Sequence, residues 1–243
     1  MNLAIDIGNT SIKKCFFLDN RLRKTSFLNY NKKKLNLLMQ FLKTDFFSSD
    51  NIYICSVVPE VNKYIIKYFK KIKSKIHFIN KQKINFIVDK RVDLEQVGSD
   101  RVINVLSVNN LYNRFKNYLI IDLGTATTID VVINNQYSGG VILPGLKASY
   151  SNLIDLASGI KGINFKKNSN LIGRNTQDAL LAGFNTGYKL MIESYINKLN
   201  KKFKKKFKVI FTGGYANNVL HNNKNFIFRD DLTLLGILYY SQL

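Results

Sequence analysis

The chain has 243 residues, 46% of them hydrophobic, and its 37 Lys and Arg against 16 Asp and Glu give a formal charge of +21 at pH 7. That length holds one large core or two small lobes, and no apolar run approaches the roughly 20 residues needed to span a bilayer. Two cysteines, Cys15 and Cys55, and two histidines, His77 and His221, lack metal-ligand or C-x-x-C spacing, which argues against a zinc centre or a disulfide framework and for a reduced, cytoplasmic protein. Asp6 interrupts the first apolar stretch and no basic segment precedes it, unlike a signal peptide.

The chain predicts strands near 2–7, 11–18 and 23–28, a helix near 32–43, a strand at 51–57, a helix at 60–73 and a strand at 75–79. Ile52, Ile54, Val57 and Val58 form a buried-strand pattern, while Val61, Tyr64, Ile65, Tyr68 and Phe69 repeat at helical spacing behind Pro59. A polar, less regular segment covers 80–97. Gly98-Ser99-Asp100-Arg101 then opens a helix with Val102, Val105, Leu106, Val108 and Leu111 as its apolar stripe. Residues 118–142 return to three strands with a kink at Gly139-Gly140, and Pro144-Gly145 begins another helix. A long helix is expected over 175–203, then a strand from Lys208 to Phe211, Thr212-Gly213-Gly214, and a terminal helix holding Leu232, Leu235, Ile237 and Leu238. No linker interrupts the pattern, so two lobes packed about a cleft are expected, divided as 1–115 and 116–243.

The positive charge is diffuse, with lysines spread along the chain among abundant Asn and Ile. Its densest run, 200–208, follows a helical pattern into an apolar strand, and reads as a solvated helix end meeting the C-terminal dipole. Binding to nucleic acid or to a membrane surface is therefore not expected. The acids carry more information. With only three glutamates in the chain, Asp6, Asp100, Asp122 and Asp130 all fall in or beside glycine or threonine motifs.

Asp6-Ile7-Gly8-Asn9-Thr10-Ser11 recurs as Asp122-Leu123-Gly124-Thr125-Ala126-Thr127, each copy following a short apolar run and preceding a β-branched one. Each reads as strand, glycine turn, strand. At such a turn backbone N–H groups leave the ladder and converge, and Ser or Thr hydroxyls add donors for anionic oxygens. One isolated copy would be a hairpin whose Asp satisfies its own backbone; two in matching contexts point to a pair of turns clasping a polyphosphate. The aspartate opening each turn calls for a cation beside the phosphates. G-x-x-x-x-G-K-[ST] and strand-borne G-x-G-x-x-G loops are absent, against P-loop and dinucleotide-binding folds.

The two turns resemble those of the actin-like and sugar-kinase ATPase superfamily, in which two duplicated lobes of ribonuclease H-like α/β fold hold ATP in the cleft between them. Thr212-Gly213-Gly214 resembles its third, adenosine-facing loop. D-x-G-N-T at 6–10, G-x-D-R at 98–101, D-x-G-T-A-x-T at 122–128, G-G-x-I-x-P-G at 139–145, G-x-N-T-x-x-A at 173–179 and T-G-G at 212–214 are similar in order and spacing to those of the type III pantothenate kinases.

That resemblance implies ATP-dependent phosphorylation of pantothenate to 4'-phosphopantothenate, the first step towards coenzyme A, with Mg²⁺ and a monovalent cation, K⁺ or NH₄⁺. By the same resemblance Asp6, Ile7, Gly8, Asn9, Thr10, Ser11, Ile12 and Lys13 form the first ATP loop and Thr125 contacts ATP from the second. Asp122 is implied as the monovalent-cation ligand. Gly98, Ser99, Asp100 and Arg101 are implied to bind pantothenate, with Asp100 as the base, Arg101 pairing with substrate carboxylate or phosphate, and Thr176 a further substrate contact. Alone, G-S-D-R is a helix N-terminal carboxylate favoured by the dipole. The segment Arg91-Val92-Asp93-Leu94 departs from an aromatic-proline pattern common in the family and receives no site residue. A homodimer is implied, paired through the long helix with Ala179, Ala182, Gly183 and Gly187. Two rivals remain, a non-enzymatic accessory factor for transcription and a kinase for another small acceptor.

Overall fold

The computed structural model describes residues 1–31, 34–157, 165–166, 170–216 and 226–243. Its chain divides into two compact units, 1–116 with 135–138 and 231–243, and 117–134 with 139–230. A single cut at 115/116 misses two exchanges, of which the C-terminal helix is the larger.

In the first unit, β1 (Asn2–Ile7) and β2 (Ser11–Leu18) pair antiparallel from Asn2↔Phe17 to Ile7↔Ile12, and β5 (Ile52–Ser56) and β6 (Ile76–Phe78) add in parallel on the other side. The strand expected at 23–28 is two short ones on β2, β3 (Arg21–Leu22) and β4 (Ser26–Asn29). Between Leu22, opposite Phe17, and Ser26, opposite Lys14, the chain holds one residue more than β2 does. That extra residue is a bulge and ends the ladder.

Side chains alternate across the sheet. Leu3, Ile5, Ile7, Ile52 and Ile54 pack in one core with Leu38, Met39, Leu42 and Phe46 of α1 (Leu35–Ser48) and Val61 and Ile65 of α2 (Pro59–Tyr68). The expected start of α1 at 32–33 lies outside the described residues, and α2 yields at Phe69 to a 3₁₀ segment, 70–75. α3 (Ser99–Leu111) contacts β5, and α7 (Leu232–Tyr240) contacts β1, β2 and β5. Buried polar bonds join these helices: Ser107 Oγ donates to Leu232 O at 2.5 Å, and Thr233 Oγ1 to Asn104 Oδ1 at 3.1 Å. α7 is apolar on nearly every side, with eight of its residues buried, which is why it groups with this unit.

The second unit repeats the plan. β7 (Tyr118–Leu123) is flanked by antiparallel β8 (Ala126–Ile133) and parallel β10 (Lys208–Thr212), giving the order β11-β10-β7-β8-β9 with β9 at Gln136–Pro144 and β11 at Phe226–Phe228. The first sheet reads β6-β5-β1-β2-β3 in the same sense. Even the hairpins match: Asp19-Asn20 and Asn134-Asn135 all have positive φ, in the two-residue form that suits strand twist. Leu119, Ile121, Leu123, Val209 and Phe211 share a core with Leu146 of α4 (Leu146–Leu156) and Tyr188, Ile192 and Ile196 of α6 (Tyr188–Phe203).

The helix expected over 175–203 is α5 (Thr176–Ala182), one π turn at Gly183–Gly187, and α6. Asn185 Nδ2 donates to Leu181 O at 2.8 Å beside that turn, and two glycines bound it, a combination that loosens the regular ladder. β11 was not expected, because three residues are too few to display alternation.

Candidate active site

In the first unit the β1–β2 turn is closed by Gly8 N–H to Ser11 O at 2.9 Å. Ile7 and Ile12 are wholly buried, so within this loop only their backbones can meet a ligand. Asn9 and Thr10 are exposed, and Asp6 and Lys13 are register partners on the two strands. Since Leu3, Ile5 and Ile7 face α1 and α2, alternation turns Asp6 to the α3 face, where its parallel partner on β5 is Cys55.

Asp100 arrives there from the first turn of α3. Ser99 seats that turn: its Oγ donates to Ser56 O at 3.1 Å and lies 3.5 Å from Cys55 Sγ. Burial pushes the Asp6 carboxyl up to about 7, against the pull of Lys13 and with a further push from the Asp100 charge. Asp100 is also raised, by burial, while the Arg101 backbone N–H, bonded to its Oδ1 at 2.8 Å, and the Arg101 charge oppose this. Burial, with Asp6 and Asp100 adding, holds the Cys55 thiol well above its ordinary value, so it stays protonated at neutral pH. The Arg101 guanidinium lies 5.6 Å from the Tyr137 ring centroid, a face that favours a cation.

In the second unit Asp122 ends β7 and Thr125 tips the next turn, where Gly124 N–H donates to Ala126 O at 3.0 Å. This turn is one residue shorter than the first, since Leu123 pairs with Thr127 whereas Ile7 pairs with Ile12. Two glycines press on it. A Cβ at Gly145 would sit 2.2 Å from Thr125 O, and one at Gly213 would sit 2.4 Å from Asp122 Oδ1. Gly213 also has φ +90, a conformation that L side chains rarely adopt. Tyr215 N–H donates to Leu123 O at 3.0 Å, tying the Thr212-Gly213-Gly214 segment to the second turn.

Thr176 opens α5 behind Asn175, whose side chain caps the Asp178 N–H at 2.8 Å. It lines a cavity of about 620 Å³ with Pro144, Leu180, Phe184, Tyr188 and Met191, a volume that suits a small organic ligand. Tyr188 joins cavity to turn: its hydroxyl donates to Pro144 O at 3.0 Å and lies 2.5 Å from buried Thr127 Oγ1. Tyr188 and Cys55 carry no motif, and only the folded chain reveals them.

Within the first unit, then, the structure gathers Asp6, Lys13 and Gly98 to Arg101; Asp122 and Thr125 share a turn in the second, and Thr176 lies on that unit's cavity wall. Among the described residues no three His, Cys, Asp or Glu side chains converge to hold a metal unaided, and no helix is long and apolar enough to cross a membrane.

The architecture is similar to that of a Campylobacter jejuni protein described provisionally as a Baf family transcriptional activator, at TM-score 0.64 and 23% identity, covering 99% of this chain and 97% of that one. It is equally similar, at TM-score 0.64 and 10% identity over 100% and 96% of the two chains, to a Sinorhizobium meliloti protein described provisionally as a 2-dehydro-3-deoxygalactonokinase. These likenesses show an α/β fold of the actin-like sugar-kinase kind. The family model described as type III pantothenate kinase matches residues 2–198. The type III pantothenate kinase of Pelagibacter ubique is 37% identical over 246 residues, 98% of this chain and 97% of its own. With both aspartate-glycine turns inside the residues that the family model matches, and the relative covered over nearly its full length, the chain belongs to the type III pantothenate kinase family.

Proposed function

We propose that this protein transfers the γ-phosphate of ATP to the primary hydroxyl of pantothenate, giving 4'-phosphopantothenate and ADP, the first step of coenzyme A biosynthesis. The observation that carries this reading is the convergence of Asp6, at the mouth of an anion-binding turn, with Asp100 on α3, each carboxyl raised by burial and Asp6 further raised by the charge of Asp100. Two carboxylates in one desolvated place suit a cation between phosphate and protein. Because no protein-only cage exists among the described residues, Asp6 would hold Mg²⁺ jointly with the ATP phosphates. Asp122, packed closely against Gly213 at the end of β7, is the carboxylate that would hold the monovalent cation, K⁺ or NH₄⁺. Bound there, these cations would neutralise charge on the phosphate oxygens.

Asp100 accepts the hydroxyl proton as the pantothenate oxygen bonds to the γ-phosphorus and the bond from that phosphorus to the β–γ bridging oxygen breaks. An ordinary carboxylate, with pKa of about 4, is a weak base for an alcohol. Burial raises this one, and a loose transition state releases the proton late, so aiming the hydroxyl in line matters more than basicity. Asn9, Thr10, Ser11 and Lys13 donate to phosphate oxygens from the first turn and Thr125 from the second. Arg101, oriented by Tyr137, pairs with the pantothenate carboxylate or a phosphate, and Thr176 contacts the acceptor. A second copy of the chain is the expected partner, through the face of α5 and the π turn where Ala179, Gly183 and Gly187 are exposed; Ala182 is buried in the core. The protein is expected in the cytoplasm.

A non-enzymatic role in transcription is not favoured, because the three aspartates that phosphoryl transfer needs are present and the basic charge forms no single motif. Acceptor profiling tests the assignment: ADP release with pantothenate and none with hexoses supports it, and release with a sugar alone moves the acceptor.

A further inference from the structure

We propose that Tyr30 is a positioning residue for the first phosphate loop, pinning the loop's outward carbonyls so that its amides face the nucleotide. This rests on the reading of residues 6–13 as an ATP loop. Tyr30 follows β4, whose pairing with β2 brings Asn29 opposite Ser11. From there Tyr30 grips the loop twice. Its hydroxyl donates to Gly8 O at 2.7 Å, and its backbone N–H donates to Thr10 O at 3.0 Å.

The two bonds bracket Asn9. In a planar trans peptide the C=O and the next N–H point in opposite directions, and no peptide bond here is cis. Holding Gly8 O therefore turns the Asn9 N–H away from Tyr30, and holding Thr10 O does the same for the Ser11 N–H. A loop that must offer N–H groups to an anion has to keep its carbonyls elsewhere, since a carbonyl facing phosphate repels it. Tyr30 supplies that constraint from a half-buried ring packed against the first core. Burial raises its hydroxyl above the ordinary tyrosine range, so it remains a donor throughout the physiological pH range.

The test is binding of the non-hydrolysable ATP analogue AMPPNP with Mg²⁺ to the wild type, Tyr30→Phe and a control, Tyr64→Phe. Tyr30→Phe keeps the ring and the backbone bond and loses only the bond to Gly8 O. The control removes a different tyrosine bond in the same unit, from Tyr64 to Asn36 Oδ1 at 2.8 Å. The expected result is a dissociation constant about three- to tenfold weaker for Tyr30→Phe, the weight of one hydrogen bond, and unchanged for Tyr64→Phe. In turnover, KM for ATP should rise with KM for pantothenate unmoved. A wild-type dissociation constant in Tyr30→Phe, even with a lowered melting temperature, would overturn the proposal by leaving Tyr30 a merely structural residue. A wild-type protein that binds no AMPPNP would instead overturn the reading on which it rests.

Discussion

The two aspartate-glycine turns occupy equivalent places in two equivalent sheets, yet they are braced by different means. In the first, a tyrosine just past the neighbouring strand holds the carbonyls of Gly8 and Thr10 by hydrogen bonds. The second is one residue shorter, and the backbone itself closes in, with Gly145 against the carbonyls of Gly124 and Thr125 and Gly213 against Asp122. The surroundings of the aspartates differ as well: Asp6 faces a second carboxylate on α3, while Asp122 faces the Thr212-Gly213-Gly214 segment. The duplicated frame thus carries two turns in different surroundings, and in the proposed reaction the first, with a second carboxylate beside it, would serve the transferred phosphate. The difference lies in what packs behind each turn rather than in the turn motif.

The largest effect should come from the residue only the first turn has beside it. Asp100→Asn should lower kcat by about 10²- to 10⁴-fold, the range for a positioned acid or base, while AMPPNP affinity stays near wild type; steady-state kinetics beside a binding titration would show the split. Next comes the tight bracing of the second turn. Gly145→Ala should displace Thr125 and destabilise the protein by about 1–3 kcal/mol, seen in urea unfolding, whereas an alanine accepted without cost would mean the contact at Thr125 is slack.

Asp6 separates the turns by pH. Its carboxyl, raised to about 7, is mostly protonated below that value and ionised above it. A cation needs the ionised form, so Mg²⁺-dependent nucleotide affinity should rise as pH goes from 6 to 8 and level off beyond. Asp6→Asn should bind more weakly and lose that slope. The smallest effect is expected at Tyr188→Phe, which removes the hydroxyl between Thr127 and Pro144 and should cost about 1 kcal/mol in denaturant unfolding.

Both turns, the T-G-G segment and the helix start that carries Asp100 were legible in the sequence because each is a short motif in which glycine, threonine and aspartate chemistry is local. Tyr30 was not. It follows a four-residue strand, and its bonds to Gly8 and Thr10 exist only once β4 has paired with β2 across a bulge that no local pattern announces. Cys55 has no metal-ligand or C-x-x-C spacing to mark it, and only the parallel pairing of β1 and β5 sets it beside Asp6. α7 was legible as a helix, but nothing in Leu232 to Tyr240 states which sheet an all-round apolar helix will cover. The π turn hid inside an unbroken helical periodicity.

The most direct measurement is mass-spectrometric detection of 4'-phosphopantothenate from purified protein with ATP, Mg²⁺ and pantothenate, with K⁺ exchanged for Na⁺ in a parallel reaction. Product that requires pantothenate and increases with K⁺ is the expected result, and it joins acceptor, reaction and cation in one experiment. A folded protein that binds AMPPNP yet forms no phosphopantothenate in either salt would contradict the assigned reaction.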